Sequence, residues 1–218
     1  MREAIETASA RYLVAGRWAH GFARGKMSGD PAYRRVLELI DCDEGTFVDI
    51  GCGEGHLLAL VRALHPGLSL VGLDHDASRV ETARVVLGEE ARIQLHLGDV
   101  RDFELPEAQL IACLDVLHYM TPEEQDTLLS RFAVALAAGG VLLIRDGRSE
   151  AGFASTITRW SEQLAVAFGR HKGDGVFFRP AEDTRATLEA AGLRVELSDC
   201  SEGTPFANML WVGRKEGS

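Results

Sequence analysis

The chain is poor in the features that would assign it to a membrane, to an oxidising compartment or to nucleic acid. No apolar run approaches the roughly 18 residues of a membrane span, and the polar stretch from Met1 to Tyr12 is no secretory signal. The four cysteines, Cys42, Cys52, Cys113 and Cys200, contain no Cys-x-x-Cys pair. That spacing offers neither a zinc site nor a disulfide framework, so no metal is expected and the thiols read as reduced in a cytoplasmic protein. Cations are scarce: 23 Lys and Arg stand against 33 Asp and Glu, a net charge of −10. An acidic body is a poor partner for nucleic acid, which needs a basic footprint. Internal repeats and low-complexity segments are also absent. At 218 residues, 46% hydrophobic, the chain is long enough for a substantial core.

What is present is a glycine-rich corner. Thr46 to Ile50 is a short β-branched and apolar run, the mark of a buried strand. Gly51, Gly53 and Gly55 follow at alternate positions, and then Leu57, Leu58, Leu60, Val61 and Leu64 recur at helical spacing up to His65-Pro66. A strand, a glycine turn and a helix in that order let a ligand approach where a Cβ would clash. The dinucleotide fingerprint Gly-x-Gly-x-x-Gly would place its third glycine at His56, which counts against a nicotinamide cofactor. Here an acid, Asp49, precedes the alternating glycines by two positions.

Three further strand ends carry acids. Leu68 to Leu73 ends in Asp74, 21 positions after Gly53. Arg92 to Leu97 ends in Gly98-Asp99-Val100, and Leu110 to Leu114 is followed by Asp115-Val116-Leu117-His118-Tyr119. Open α/β sheets bind ligands at this carboxyl edge, and an acid at the end of the second strand accepts hydrogen bonds from ribose hydroxyls.

The arrangement acid-x-Gly-x-Gly-x-Gly, with Asp74 and Asp99 in order behind it, resembles class I S-adenosylmethionine (SAM) methyltransferases. The resemblance implies SAM as cofactor. Asp49 would stand near the ammonium of the methionine part, directly or through water. Asp74 would serve the ribose and Asp99 the adenine amino group, with Val100 packed on the ring. The implied cofactor set is Asp49, Gly51, Cys52, Gly53, Gly55, Asp74, His75, Asp99, Val100 and Leu114. No Asp/Asn-Pro-Pro-Tyr/Phe follows the fourth strand, the pattern expected for amino methylation of DNA bases or protein glutamine.

The remaining segments complete an architecture. Thr121-Pro122-Glu123-Glu124 reads as a capping box opening a helix that runs through Leu128, Leu129, Phe132 and Leu136 to Gly139-Gly140. Val141 to Ile144 is a fifth strand, Ala154 to Phe168 a helix, and Ala181 to Ala191 another, closed by Gly192. Leu193 to Leu197 and Asn208 to Val212 are two last strands. Strands alternating with helices predict an α/β fold with a parallel sheet covered on both faces. The resemblance implies a Rossmann-like, seven-stranded, mostly parallel sheet of order 3-2-1-4-5-7-6. Residues 41–218 would form the SAM-binding domain, and residues 1–40 an N-terminal helical lid.

The acceptor is less legible. His118 is a candidate general base, since its unperturbed pKa lies near operating pH; a packing or cofactor-side role is the alternative. Arg145, Arg148 and His171, with Lys172, are candidate anion-binding groups or solvated loop cations. Positioning and desolvation suffice for an in-line methyl transfer without any base. Residues 1–40 hold seven cations against four acids, with Trp18 and Phe22 interleaved. They read as an amphipathic helix packed on the domain, as a lid steering an acidic substrate or protein partner, or as both.

A narrower resemblance rests on the run Phe22 to Asp30-Pro31, on Ile144-Arg145-Asp146-Gly147 and on Arg170-His171-Lys172. These are similar to methyltransferases of aryl polyene and flexirubin-type pigment clusters. That similarity implies a small-molecule acceptor of secondary metabolism, a phenolic head group or an acyl chain, free or tethered to an acyl carrier protein. O- and C-methylation both stay open. The alternatives are an RNA or protein methyltransferase, a non-catalytic SAM-binding regulatory protein, and a nicotinamide-dependent reductase.

Overall fold

A computed structural model describes residues 1–88, 90–147, 176–200 and 208–217. Its centre is a seven-stranded sheet of β1 (Thr46–Ile50), β2 (Ser69–Asp74), β3 (Ile93–Leu97), β4 (Ala108–Leu114), β5 (Leu136–Gly147), β6 (Leu193–Asp199) and β7 (Asn208–Lys215). The strand order is β3-β2-β1-β4-β5-β7-β6. The first five strands pair in parallel, while β7 runs antiparallel to both β5 and β6. The parallel core is what the alternation of strand and helix patterns predicts, and the Rossmann-like order is the one the methyltransferase resemblance implies.

Two apolar clusters lie on the two faces. The first joins Phe47, Leu70, Leu110 and Leu143 to α1 (Arg2–Ala10), α2 (Arg17–Gly29), α3 (Pro31–Leu39), α4 (His56–Leu64) and α5 (Ala77–Leu87). The second joins Val48, Ile50, Ile111 and Ile144 to Leu128, Leu129 and Phe132 of α6 (Pro122–Ala135) and Leu188 of α7 (Ala181–Ala190). Central strands buried on both faces explain their near-continuous apolar sequence.

The N-terminal segment is three short helices with a 3-10 turn, Arg11–Ala15, between the first two. Asp30 ends α2 and caps α3: its Oδ1 accepts from the Ala32 N–H at 2.9 Å, ahead of Pro31 at the first helical position. The capping box is present at Thr121 and Glu124. Among the described residues, no helix is long and apolar enough to cross a membrane.

One boundary departs from the sequence expectation. The helix was expected to reach Gly139-Gly140, but α6 stops at Ala135 and Leu136 already belongs to β5. Leu136 pairs with Ala108, and an irregularity shifts the register before Leu110 meets Val141. Gly139 takes a φ of 75° inside it, a conformation that suits glycine. The Lys215 ammonium donates to the carbonyls of Ala133, Val134 and Leu136, which the helix end leaves without partners. The helix expected from Ala154 to Phe168 lies outside the described residues.

Candidate active site at the carboxyl edge of the sheet

The glycine corner is held by the neighbouring strand. The N–H groups of Gly51 and Cys52 both donate to the Leu73 carbonyl, at 2.8 and 3.0 Å. Gly53 N–H donates to Asp74 Oδ2 at 2.8 Å, and Asp76 N–H to Asp74 Oδ1 at 2.9 Å. Gly51, with a φ of 75°, could not carry a side chain: a Cβ there would lie 2.4 Å from Val116 Cγ2. The acid that ends β2 therefore shapes the turn that follows β1.

Above this corner lies a cavity of about 470 Å³. On the sheet side it is lined by Gly51, Cys52, Gly53, Asp74, His75, Gly98, Val100, Leu114, Asp115 and Val116. Seven residues expected from the sequence are thus brought together. Asp49, Gly55 and Asp99 belong to the same loops and strand ends but do not line the cavity. The Asp99 carboxylate is engaged by Arg101, which also reaches Glu124 at 2.7 Å.

Asp49 sits at the end of β1 with Gly72 and Ala112 beside it in register. Those small neighbours leave it room, yet it is almost wholly buried. Burial, reinforced by the Asp74 charge and opposed by Lys26, pushes its pKa up to about 7.

The other wall comes from the N-terminal segment that the sequence offered as a lid, without showing which of its residues face the cavity. Trp18, Phe22 and Lys26 recur every four residues along α2 and so share one helix face; all three line the cavity, as do Tyr33 of α3 and Arg79 of α5. Trp18 and Phe22 stack with ring centres 5.5 Å apart, and Trp18 remains 80% exposed. His56, in the place of the dinucleotide glycine, also lines the cavity. Its ring stacks on Tyr12 at 4.7 Å, and the Tyr12 hydroxyl donates to the Glu54 carbonyl at 2.8 Å. Helix-period spacing from Trp18 to Lys26 was the available signal.

Beyond β4, Asp115 takes a φ of 60°, the left-handed region that Asp tolerates and that non-glycine residues occupy mostly at turns and functional sites. Arg145 holds it through Nε to Oδ1 (2.9 Å) and Nη2 to Oδ2 (2.5 Å), and its Nη1 reaches Asp30 Oδ1 at 2.5 Å. The candidate substrate arginine is thereby buried and engaged with two carboxylates, which raise its already high pKa against the cost of burial. Arg148, His171 and Lys172 lie outside the described residues.

His118 follows on a short 3-10 turn. Its N–H donates to Asp146 Oδ2 at 2.9 Å, and its Nδ1 lies 2.5 Å from Asp146 Oδ1. Phe178 stacks on the imidazole at 5.1 Å, and Phe177 N–H donates to the His118 carbonyl at 2.8 Å. Burial alone would lower the His118 pKa, but the Asp146 carboxylate and its hydrogen bond carry it above the ordinary value. His118 does not line the cavity; its ring centre is 4.1 Å from that of Tyr119, which does.

Residues 47–140 match the family model described as a methyltransferase domain. The carboxy-S-adenosyl-L-methionine synthase of Chromohalobacter salexigens is 35% identical over 103 residues, covering 45% of this chain and 38% of that one. The N,N-dimethyltransferase OxyT of Streptomyces rimosus is 29% identical over 157 residues, 71% of this chain and 44% of that one. The chain therefore spans less than half the length of these two relatives. An O-methyltransferase family protein from Burkholderia thailandensis shares the fold, with a TM-score of 0.66 over 94% of this chain and 61% of its own, at 20% identity.

Proposed function

We propose that this chain is a SAM-dependent methyltransferase acting on a small-molecule acceptor, a phenolic or carrier-bound acyl compound of secondary metabolism. The observation that carries the donor is the cradle between β1 and β2. Gly51 and Gly53 keep the floor of the cavity free of side chains, while Asp74 and Val100 stand at the adjoining strand ends. The matched methyltransferase model, a relative named as a methyltransferase and another named as a carboxy-S-adenosyl-L-methionine synthase support the same donor.

These residues fit the group. A cavity of about 470 Å³ lies within the range of small-molecule sites. Asp74 keeps acceptor capacity for ribose hydroxyls beyond its two backbone bonds, since a carboxylate offers about four lone-pair sites. Val100 offers an apolar surface to the adenine, and Asp49 a negative charge to the ammonium. Asp99 serves the adenine amino group once its pairing with Arg101 leaves it an open lone pair. Cys52, Gly55, His75 and Leu114 complete the cofactor set. When bound, SAM supplies a methyl group on a sulfonium, ready for in-line displacement.

The chain's own work is to position and to move a proton. His118 stands behind Tyr119 with Nδ1 fixed by Asp146; an acceptor that reaches past the Tyr119 ring gives its proton to Nε2, and Asp146 stabilises the imidazolium that results. Asp115, aimed by Arg145, and Tyr119 mark the acceptor end of the cavity. The α2 wall of Trp18, Phe22 and Lys26 closes the other side as a lid and excludes water from the transfer. Arg148 and His171 are further acceptor-binding candidates.

The test follows the label of methyl-labelled SAM into phenolic acids, free and as carrier-protein thioesters, with RNA and whole protein as comparison acceptors. Labelled small-molecule product is expected. Label in RNA or protein alone, or none in any acceptor despite SAM binding, would overturn the acceptor class.

A further inference from the structure

We infer that Lys26 and His56 form a subsite for the carboxylate of the donor's amino-acid tail. The inference rests on the donor reading above and adds the two residues that tell the tail from the nucleoside.

Three features meet where α2 passes over the glycine corner. Lys26 lines the cavity one turn beyond Phe22, 5.6 Å from the centre of the Tyr33 ring, a face that attracts its charge without neutralising it. Its charge bears on both Asp49 and His56. His56 is buried, and its Nε2 has no hydrogen-bond partner; Glu54 Oε2 stands 3.6 Å away, outside bonding reach. Buried polar atoms are almost always satisfied, so this nitrogen, closed off beside Glu54, lacks a partner that an arriving carboxylate could supply once the exposed Glu54 side chain moves aside. Burial, with Lys26 adding to it, holds the imidazole pKa down to about 4, so His56 is neutral near pH 7 and one ring nitrogen is a donor. The stack on Tyr12 and the edge contact with Phe22 fix the ring's plane. Third, α4 begins at His56 with Gly55 at its cap, so no side chain covers the first N–H groups of this nine-residue helix.

Lys26 offers this corner a positive charge although Glu54 also lines it, and Asp49 beside it suits a cation. A zwitterionic amino-acid tail presents both, with its carboxylate toward Lys26 and His56 and its ammonium toward Asp49. Asp74 and Val100, which take the nucleoside, stand at the end of β2 and just beyond β3, on elements other than α2 and α4. Lys26 and His56 therefore act on the tail alone.

The experiment compares two adenosine thioethers by calorimetry. S-adenosylhomocysteine carries the amino-acid tail, whereas 5′-methylthioadenosine lacks it. Lys26→Met is expected to weaken S-adenosylhomocysteine binding by about 10- to 100-fold, the scale of a lost charged hydrogen bond, and to leave 5′-methylthioadenosine binding unchanged. Lys26→Arg should recover most of the loss. His56→Phe, which keeps the stack on Tyr12, should weaken S-adenosylhomocysteine by a smaller factor, again without touching 5′-methylthioadenosine. Unchanged S-adenosylhomocysteine binding in Lys26→Met, or an equal loss for both ligands, overturns the subsite. A wild-type chain that binds neither ligand overturns the donor reading itself.

Discussion

Arg145 Nη1 lies 2.5 Å from Asp30 Oδ1 across 115 residues of sequence, joining the N-terminal helices to the end of β5. Because the same guanidinium holds Asp115, the wall that carries Trp18, Phe22 and Lys26 is registered against the Asp115 end of the cavity. Asp30→Asn keeps a good N-cap for α3 but removes the charge facing a buried arginine. Since Arg145 retains Asp115, the loss should be about 1–3 kcal/mol, below that of orphaning a buried charge outright. Urea denaturation measures it. The KM for SAM should rise as well, because α2 loses its anchor; a variant of unchanged stability and KM would show the contact to be idle.

The His118–Asp146 pair gives a kinetic prediction. His118→Ala should leave SAM affinity intact and slow turnover by roughly 100-fold or more if the imidazole is the base. The base works when neutral, and Asp146 raises its pKa. In the wild-type chain, turnover should therefore climb with pH through a value above the ordinary histidine range. Asp146→Asn lowers that pKa, so the acid limb of the profile should move to lower pH while the plateau rate falls. A pH profile that does not shift would leave positioning as the sole mechanism.

Asp49, proposed to face the donor's ammonium, should link donor binding to pH. Its folded pKa of about 7 is far above the ordinary aspartate value of 3.8, so the folded chain favours the protonated acid. The stability this contributes is fully present below about pH 4 and is lost as pH rises through 7. Asp49→Asn escapes that loss, so its stability advantage over wild type in the absence of ligand should grow between pH 4 and 8. Donor binding runs the other way. The ammonium needs the ionised carboxylate, so wild-type affinity should rise through pH 7 and the Asn variant's should stay low and flat. Parallel pH profiles for the two proteins would remove Asp49 from the donor site.

Asp74 supports two structures at once, the glycine turn and the proposed ribose contact. Asp74→Ala should weaken S-adenosylhomocysteine binding by about 1–3 kcal/mol, read by calorimetry. Unchanged affinity would show that the ribose acid is misassigned.

How much of this could be read from sequence depended on range. Strands β1 and β3 and helix α4 were visible because their patterns are local and dense, and Thr121 with Glu124 announced α6 through a four-residue motif. The end of α6 was misplaced because Leu136 is drawn into β5 by pairing with Ala108 of β4, a tertiary contact that helical periodicity cannot show. The sheet-side wall was legible because each acid or glycine follows a strand. Lys26 was read only within a basic, aromatic segment, since its position over the cavity depends on how α2 crosses the sheet. Arg145 looked like a free cation because Asp30 and Asp115 lie 115 and 30 residues away. Asp146 was read only within the run Ile144 to Gly147, although it fixes the orientation of His118.

The central claim, that the corner from Asp49 to His56 holds SAM, is tested most directly by titrating the wild-type chain with S-adenosylhomocysteine, NADH and NADPH in parallel calorimetry. The account predicts saturable binding of one S-adenosylhomocysteine per chain and no heat from either nicotinamide. Tight binding of NADH or NADPH, with none of S-adenosylhomocysteine, would contradict it.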